Sequence, residues 1–206
     1  MIEIRNLNIK LRNSDRYLIK DFNLILNNKD KAAIIGEEGN GKTTFIKALI
    51  FSKDILNYVE IEGIINVPKN IGYLEQNLNK LWQEQELREF FLKDNPDSNE
   101  NYEIYDDYNK LVEVFNSLGL DLDLLESERK ISTFSGGEKV KFQLAKIMIK
   151  NPEFLILDEP TRNLSPLSNP VIRKLLKEYP GSIISVSHDR KYIEEVCDTK
   201  FFIEKR

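Results

Sequence analysis

Cysteine and histidine occur once each among the 206 residues, as Cys197 and His188, and no apolar run approaches the length of a membrane-crossing helix. The lone thiol excludes an intramolecular disulfide and suits a reducing cytosol; with no supporting motif, Cys197 reads as a small packing residue. A positive excess is missing as well. Acidic residues number 34 against 30 basic ones, and the formal charge of −4 gives no footprint for nonspecific nucleic-acid binding. Met1-Ile2-Glu3-Ile4-Arg5 lacks the apolar segment of a signal peptide, so a cytoplasmic protein without direct membrane insertion is expected. Repeats and low-complexity linkers are also missing, and the most polar stretch, Lys93 to Asp107, reads as a short acidic loop joining helices. A length of 206 residues and 41% apolar content suit one α/β domain with a sheet covered on both faces.

The most informative stretch is Gly36-Glu37-Glu38-Gly39-Asn40-Gly41-Lys42-Thr43-Thr44, which fits G-x-x-x-x-G-K-[ST]. The apolar run Lys31-Ala32-Ala33-Ile34-Ile35 precedes it as a strand, and Thr43 to Phe51 follows as a helix with Phe45, Ile46, Leu49 and Ile50 available to pack. Glycines let the backbone curl with its N–H groups inward, and the helix adds its positive end, which makes a nest for the β- and γ-phosphates of a nucleotide. In that reading Lys42 neutralises phosphate charge and the Thr43 hydroxyl meets the accompanying Mg²⁺. The bland alternative is a glycine-rich turn with a solvated lysine.

Elsewhere, Ile2, Ile4, Leu7, Ile9 and Leu11 alternate with polar residues apart from one break between Ile4 and Leu7. Phe22, Leu24 and Leu26 alternate again, so two half-buried strands are expected. Asn13-Ser14-Asp15-Arg16 and Asn27-Asn28-Lys29-Asp30 supply turns. Tyr58 to Val67 reads as a strand pair or one bent strand with Gly63 at the bend, and Ile71 to Gln76 as a strand ending on a glutamine. Helical patterning from Trp82 to Ser117 predicts an inserted helical subdomain, with boundaries at about residues 80 and 150. Ser132 to Glu138 opens a further helix that reaches about Lys150 before Pro152. Phe154-Leu155-Ile156-Leu157 reads as a fully buried strand carrying Asp158 and Glu159 at its carboxyl end. A helix around Asn169 to Glu178 then leads to the strand Ile183 to Val186, which ends on Ser187-His188-Asp189. The alternation predicts an α/β fold with a mainly parallel core sheet and the helical insertion, and the Gly36 to Thr44 motif makes it of the P-loop NTPase kind, with the two N-terminal strands as an antiparallel β subdomain. Ligands of such a sheet sit beyond the strand carboxyl ends, where Lys42, Asp158 with Glu159, and His188 fall.

Along nearly its whole length the chain resembles the ATP-binding cassette superfamily. The loop at Gly36 to Thr44 is similar to Walker A, Gln76 to the Q-loop, Ser135-Gly136-Gly137-Glu138 to the signature motif, Phe154 to Glu159 to Walker B, Asn163-Leu164-Ser165 to the D-loop, and His188 to the switch histidine. The resemblance implies an ATPase that binds ATP and Mg²⁺. Gly36, Glu37, Gly39, Asn40, Gly41, Lys42, Thr43 and Thr44 then cradle the nucleotide, with Thr43, Gln76 and Asp158 toward the metal. Glu159 polarises the attacking water, and His188 and Gln76 complete the catalytic set. Ser135, Gly136 and Gly137 face the ATP of a second cassette, so a homodimer, a heterodimer or a second cassette of a longer chain is implied. Departures are Ser165 in place of an aspartate, Phe134 in place of a leucine and Glu138 in place of a glutamine. Alignment by spacing puts Asn13 where an adenine-stacking aromatic normally lies, and Tyr17 is the nearest aromatic candidate. Two branches stay open: an ABC-F type cassette acting on ribosomes in translation or antibiotic resistance, suggested by Ser187-His188-Asp189-Arg190 and the brief helical insertion, or the nucleotide-binding subunit of a transporter with transmembrane permease partners.

Overall fold

The computed structural model describes residues 1–93 and 108–203. Beyond Lys93, the acidic stretch expected as a loop lies outside the described residues. The chain forms two compact units, one of Met1–Tyr73, Pro152–Pro160 and Lys177–Arg206, the other of Leu74–Asn151 and Thr161–Leu176.

The first unit holds an antiparallel sheet of order β2-β1-β4, built from β1 (Ile2–Leu11), β2 (Tyr17–Leu26) and β4 (Val59–Asn66). Its apolar positions alternate as the sequence suggests, and the break between Ile4 and Leu7 is a β-bulge with Asn6 at φ 48°. Asparagine side chains satisfy the displaced backbone: Asn6 N–H donates to Asn23 Oδ1 at 2.9 Å, and Asp21 N–H to Asn8 Oδ1 at 3.0 Å. Opposite the bulge, β4 is one bent strand, not a pair. Gly63 sits there at φ 110°, and a Cβ on it would lie 2.5 Å from the Asn6 carbonyl oxygen, so only glycine fits.

The second sheet has the order β5-β6-β7-β3-β8, from β3 (Lys31–Ile35), β5 (Ile71–Leu74), β6 (Phe154–Asp158), β7 (Ser182–Val186) and β8 (Thr199–Phe202). Both β6 and β7 are buried throughout, which explains why they read as continuous apolar runs and not as alternations. The pairs β6/β7, β7/β3 and β3/β8 are parallel. β5 stops at Leu74, two residues before the glutamine where the sequence suggested its end. Helix α1 (Lys42–Leu49) is shorter than the stretch to Phe51, because the chain turns to a left-handed φ of 53° at Phe51. Its Phe45, Ile46 and Leu49 are fully buried in a core shared with residues of both sheets, among them Ile4, Leu24, Ile34 and Ile156. Helix α7 (Arg190–Val196) is capped by Asp189, whose carboxylate accepts from the Lys191 and Tyr192 amides.

The second unit is helical, with α2 (Lys80–Gln83), α3 (Leu87–Leu92), α4 (Tyr108–Leu118) and α5 (Gly136–Ile149), followed by the start of α6 (Ser168–Glu178). An antiparallel bridge between Glu86 and Lys130 ties the entry of α3 to the approach of α5. Aromatic rings fill the middle: Trp82 meets Phe90 edge-on at 5.0 Å, and Phe91 lies 5.3 Å from Phe115. Lys146 places its ammonium 3.8 Å from the Trp82 ring centre and donates to the Phe90 carbonyl at 2.6 Å, which holds the end of α3.

Candidate nucleotide site

Strand register builds the site. Ile34 of β3 pairs with Val186 of β7, and Val186 in turn pairs with Asp158 of β6. Three chain segments therefore leave the sheet at one level: the loop from Gly36, Ser187-His188, and Glu159.

The loop is wound as its glycines require. Gly39 has φ 80° and Gly41 φ 84°; a Cβ on Gly41 would also lie 2.9 Å from the Leu18 Cβ. Gly36 packs so tightly that a Cβ there would stand 2.6 Å from the Ile203 carbonyl oxygen. Asn40 is buried and donates Nδ2–H to that carbonyl at 3.2 Å, while its Oδ1 has no partner among the described residues. Lys42 is 8% exposed, and its ammonium donates to the Gly36 and Glu37 carbonyls at 2.7 Å each. Burial pushes its pKa down, against the upward pull of the Glu159, Asp158 and Glu38 carboxylates. Thr43 Oγ1 donates to Asp158 Oδ2 at 3.4 Å, and Asp158 is only 3% exposed. A hydroxyl and a buried carboxylate side by side at the foot of a phosphate loop form an oxygen set of the kind Mg²⁺ takes.

Glu159 follows directly, held at φ 55°, a conformation costly for a residue with a side chain. Its own N–H donates to the Val186 carbonyl at 2.9 Å. One carboxylate oxygen accepts the His188 amide at 3.3 Å and the other stands 3.8 Å from His188 Nε2. A carboxylate fixed this way can take a proton from a water, and the exposed imidazole beside it can donate to an anion. Tyr17 lines a surface hollow of about 270 Å³ with Leu18, Lys20, Phe202 and Ile203; its ring centre is 5.7 Å from Lys10 Nζ and 5.4 Å from Lys20 Nζ.

In the other unit, Gln76 lies half-buried in the bend after β5. Ser135 caps α5 in a reciprocal box: its hydroxyl oxygen accepts the Glu138 amide at 3.2 Å, and Glu138 Oε2 accepts the Ser135 amide at 2.8 Å. The Ser135 hydroxyl also donates to Glu138 Oε2 at 2.7 Å, and that bond first, then the Ser135 amide, holds the Glu138 carboxyl below its ordinary pKa. The S-x-x-E spacing carries this box, so the glutamate has a local job that its comparison with a glutamine conceals. Gly136 and Gly137 are pressed on by the next loop, with Asn163 Cβ 3.0 Å from a Cβ on Gly136 and the Asn163 carbonyl 3.1 Å from one on Gly137. Ser165 uses its hydroxyl oxygen to accept the Ser168 amide at 3.1 Å, at the start of α6. Two contacts of the phosphate loop, Asn40 Nδ2–H with the Ile203 carbonyl and Arg16 Nη2–H with the Gly39 carbonyl at 3.4 Å, join residues distant in sequence and left no local pattern.

Fold and site define a P-loop nucleotide cassette. A family model described as ABC transporter matches residues 19–162, and the chain belongs to that family. ABC transporter F family member 2 of Arabidopsis thaliana is 33% identical over 184 residues, which cover 89% of this chain and 26% of that protein. The ribosome protection protein VmlR of Bacillus subtilis (strain 168) is 32% identical over 191 residues, 92% of this chain and 32% of that protein. The chain thus spans between a quarter and a third of the length of these curated relatives. Among solved structures, a dimeric ATP-binding cassette in a post-hydrolysis state bound to ADP and Pi superposes with a TM-score of 0.74 at 19% identity, covering 100% of this chain and 97% of that one. The ATP-binding subunit of an ABC transporter gives 0.76 at 19%, covering 100% and 88%. No helix among the described residues is long and apolar enough to cross a membrane.

Proposed function

We propose that this chain hydrolyses ATP as one cassette of an ABC-F type protein that works on ribosomes, with two cassettes closing on the nucleotides. The observation that carries the ATPase reading is the convergence, at one level of the sheet, of Lys42, the Thr43–Asp158 pair and the Glu159–His188 pair. Gly36, Glu37, Gly39, Asn40, Gly41 and Thr44 shape the cradle, Lys42 neutralises the phosphates, and Tyr17 meets the base. Thr43 and Asp158 would hold Mg²⁺, which when bound offsets charge on the phosphate oxygens. Glu159 takes the proton of the attacking water while the backbone of His188 fixes the carboxylate and its imidazole donates to the γ-phosphate. Ser135, Gly136 and Gly137 present helix-start amides to the nucleotide of the second cassette.

The ribosomal assignment rests on the F-family member and the ribosome protection protein among the relatives that match most of this chain. An erythromycin resistance ATP-binding protein of Staphylococcus epidermidis, 32% identical over 170 residues, points the same way. Co-sedimentation of the full native protein with ribosomes, in the presence of a non-hydrolysable ATP analogue, tests it. Retention on ribosomes is expected, and co-purification with a membrane permease instead would overturn the assignment.

A further inference from the structure

The phosphate loop carries two carboxylates of its own, although as an ATP cradle it must receive a polyphosphate. Glu37 and Glu38 are exposed on the loop itself, and Asp158 and Glu159 lie close enough to its lysine to pull against the lowering that burial imposes on that lysine's pKa. Against these carboxylates the loop's own sequence offers the single cation Lys42. The hairpin between β1 and β2 supplies another. Arg16 reaches across and donates Nη2–H to the Gly39 carbonyl at 3.4 Å. Its backbone is fixed on both sides, with its N–H donating to Ser14 Oγ at 3.1 Å and its carbonyl accepting the Leu11 amide at 3.0 Å. The side chain is exposed, and the space a Cβ would take on Gly39 is open. A guanidinium so anchored keeps further N–H donors for an anion.

We propose that Arg16 is a nucleotide-binding residue that grips the phosphate chain at the outer edge of the loop and offsets the charge of Glu37 and Glu38. The proposal rests on the reading of this loop as the ATP site. Arginine suits the task because its charge is permanent and its donors match phosphate oxygens in pairs.

The test is calorimetric titration of the folded protein with Mg-ATP, inorganic tripolyphosphate and adenosine, for wild type, R16A, R16A/E38Q and K42A. R16A is expected to weaken Mg-ATP and tripolyphosphate alike, by about tenfold, the usual scale of one charge-assisted contact, and to leave adenosine unchanged. Neutralising Glu38 in the R16A/E38Q variant should restore part of that affinity, because it removes negative charge that the guanidinium offsets. Weaker adenosine binding with unchanged tripolyphosphate binding would put the guanidinium on the base and overturn the assignment. Unchanged Mg-ATP affinity in R16A with a clear loss in K42A would overturn the role of Arg16 alone. No change in either variant would remove the ATP site itself.

Discussion

The carboxylate of Glu159 bridges two positions of His188, accepting its amide at 3.3 Å and facing its Nε2 at 3.8 Å. The amide fixes the acid by backbone, so the acid keeps its place whatever the imidazole does. This separation of anchoring from chemistry gives the first prediction. Glu159→Gln keeps the shape and the amide contact but loses the basic oxygen, so Mg-ATP binding should persist and an ATP-bound dimer should accumulate. Phosphate release should fall by at least about 100-fold, the contribution expected of a positioned base. Wild-type turnover in that variant would remove Glu159 from the mechanism.

Lys42 is buried and shared between the Gly36 and Glu37 carbonyls. Lys42→Ala should weaken nucleotide binding by about tenfold or more, measured by titration with a fluorescent ATP analogue. Unchanged affinity would contradict the assignment of the phosphate loop.

Alkaline pH should unfold the protein early. Burial pushes the Cys197 thiol up from 9.0 to about 12 and the Tyr179 hydroxyl from 10.0 to about 12, and raises Tyr192 well above its ordinary value. Each group is harder to ionise folded than unfolded. Its stabilising share is therefore complete below the unfolded pKa and is lost as pH climbs from about 9 toward about 12. Urea midpoints taken across that range should fall, and Cys197→Ala should flatten the first part of the decline while the tyrosines keep the rest. Identical slopes for wild type and variant would show that the thiol is not the group titrating.

Gly63→Ala should destabilise the first unit by about 2 kcal/mol or more, since the new Cβ meets backbone that cannot swing away. The urea midpoint would report it, and a change within error would mean that the bulge at Asn6 yields more easily than its hydrogen bonds suggest.

Much of this was legible in the sequence because the relevant physics is local. The phosphate loop announces itself through glycine spacing, and β6 and β7 through unbroken apolar runs; a single mismatch between Ile4 and Leu7 marked the bulge. Strand β8 escaped because Thr199 to Phe202 is a short edge strand, mostly exposed, with no alternation to detect. The expected end of β5 at Gln76 overshot because an apolar run cannot say where pairing stops. Helix α7 is short, and its Asp189 cap hides inside the segment read for the histidine. The contacts of Asn40 with Ile203 and of Arg16 with Gly39 join residues far apart in the chain, and nothing in a linear pattern foretells them.

Ile203 sits just past the edge strand, and its carbonyl closes against Gly36 and accepts from Asn40. Replacing Thr199 to Ile203 by a flexible linker would spare every motif read above, since all of them lie earlier in this stretch. It would nonetheless strip the backing from the phosphate loop, and nucleotide binding should be lost with it.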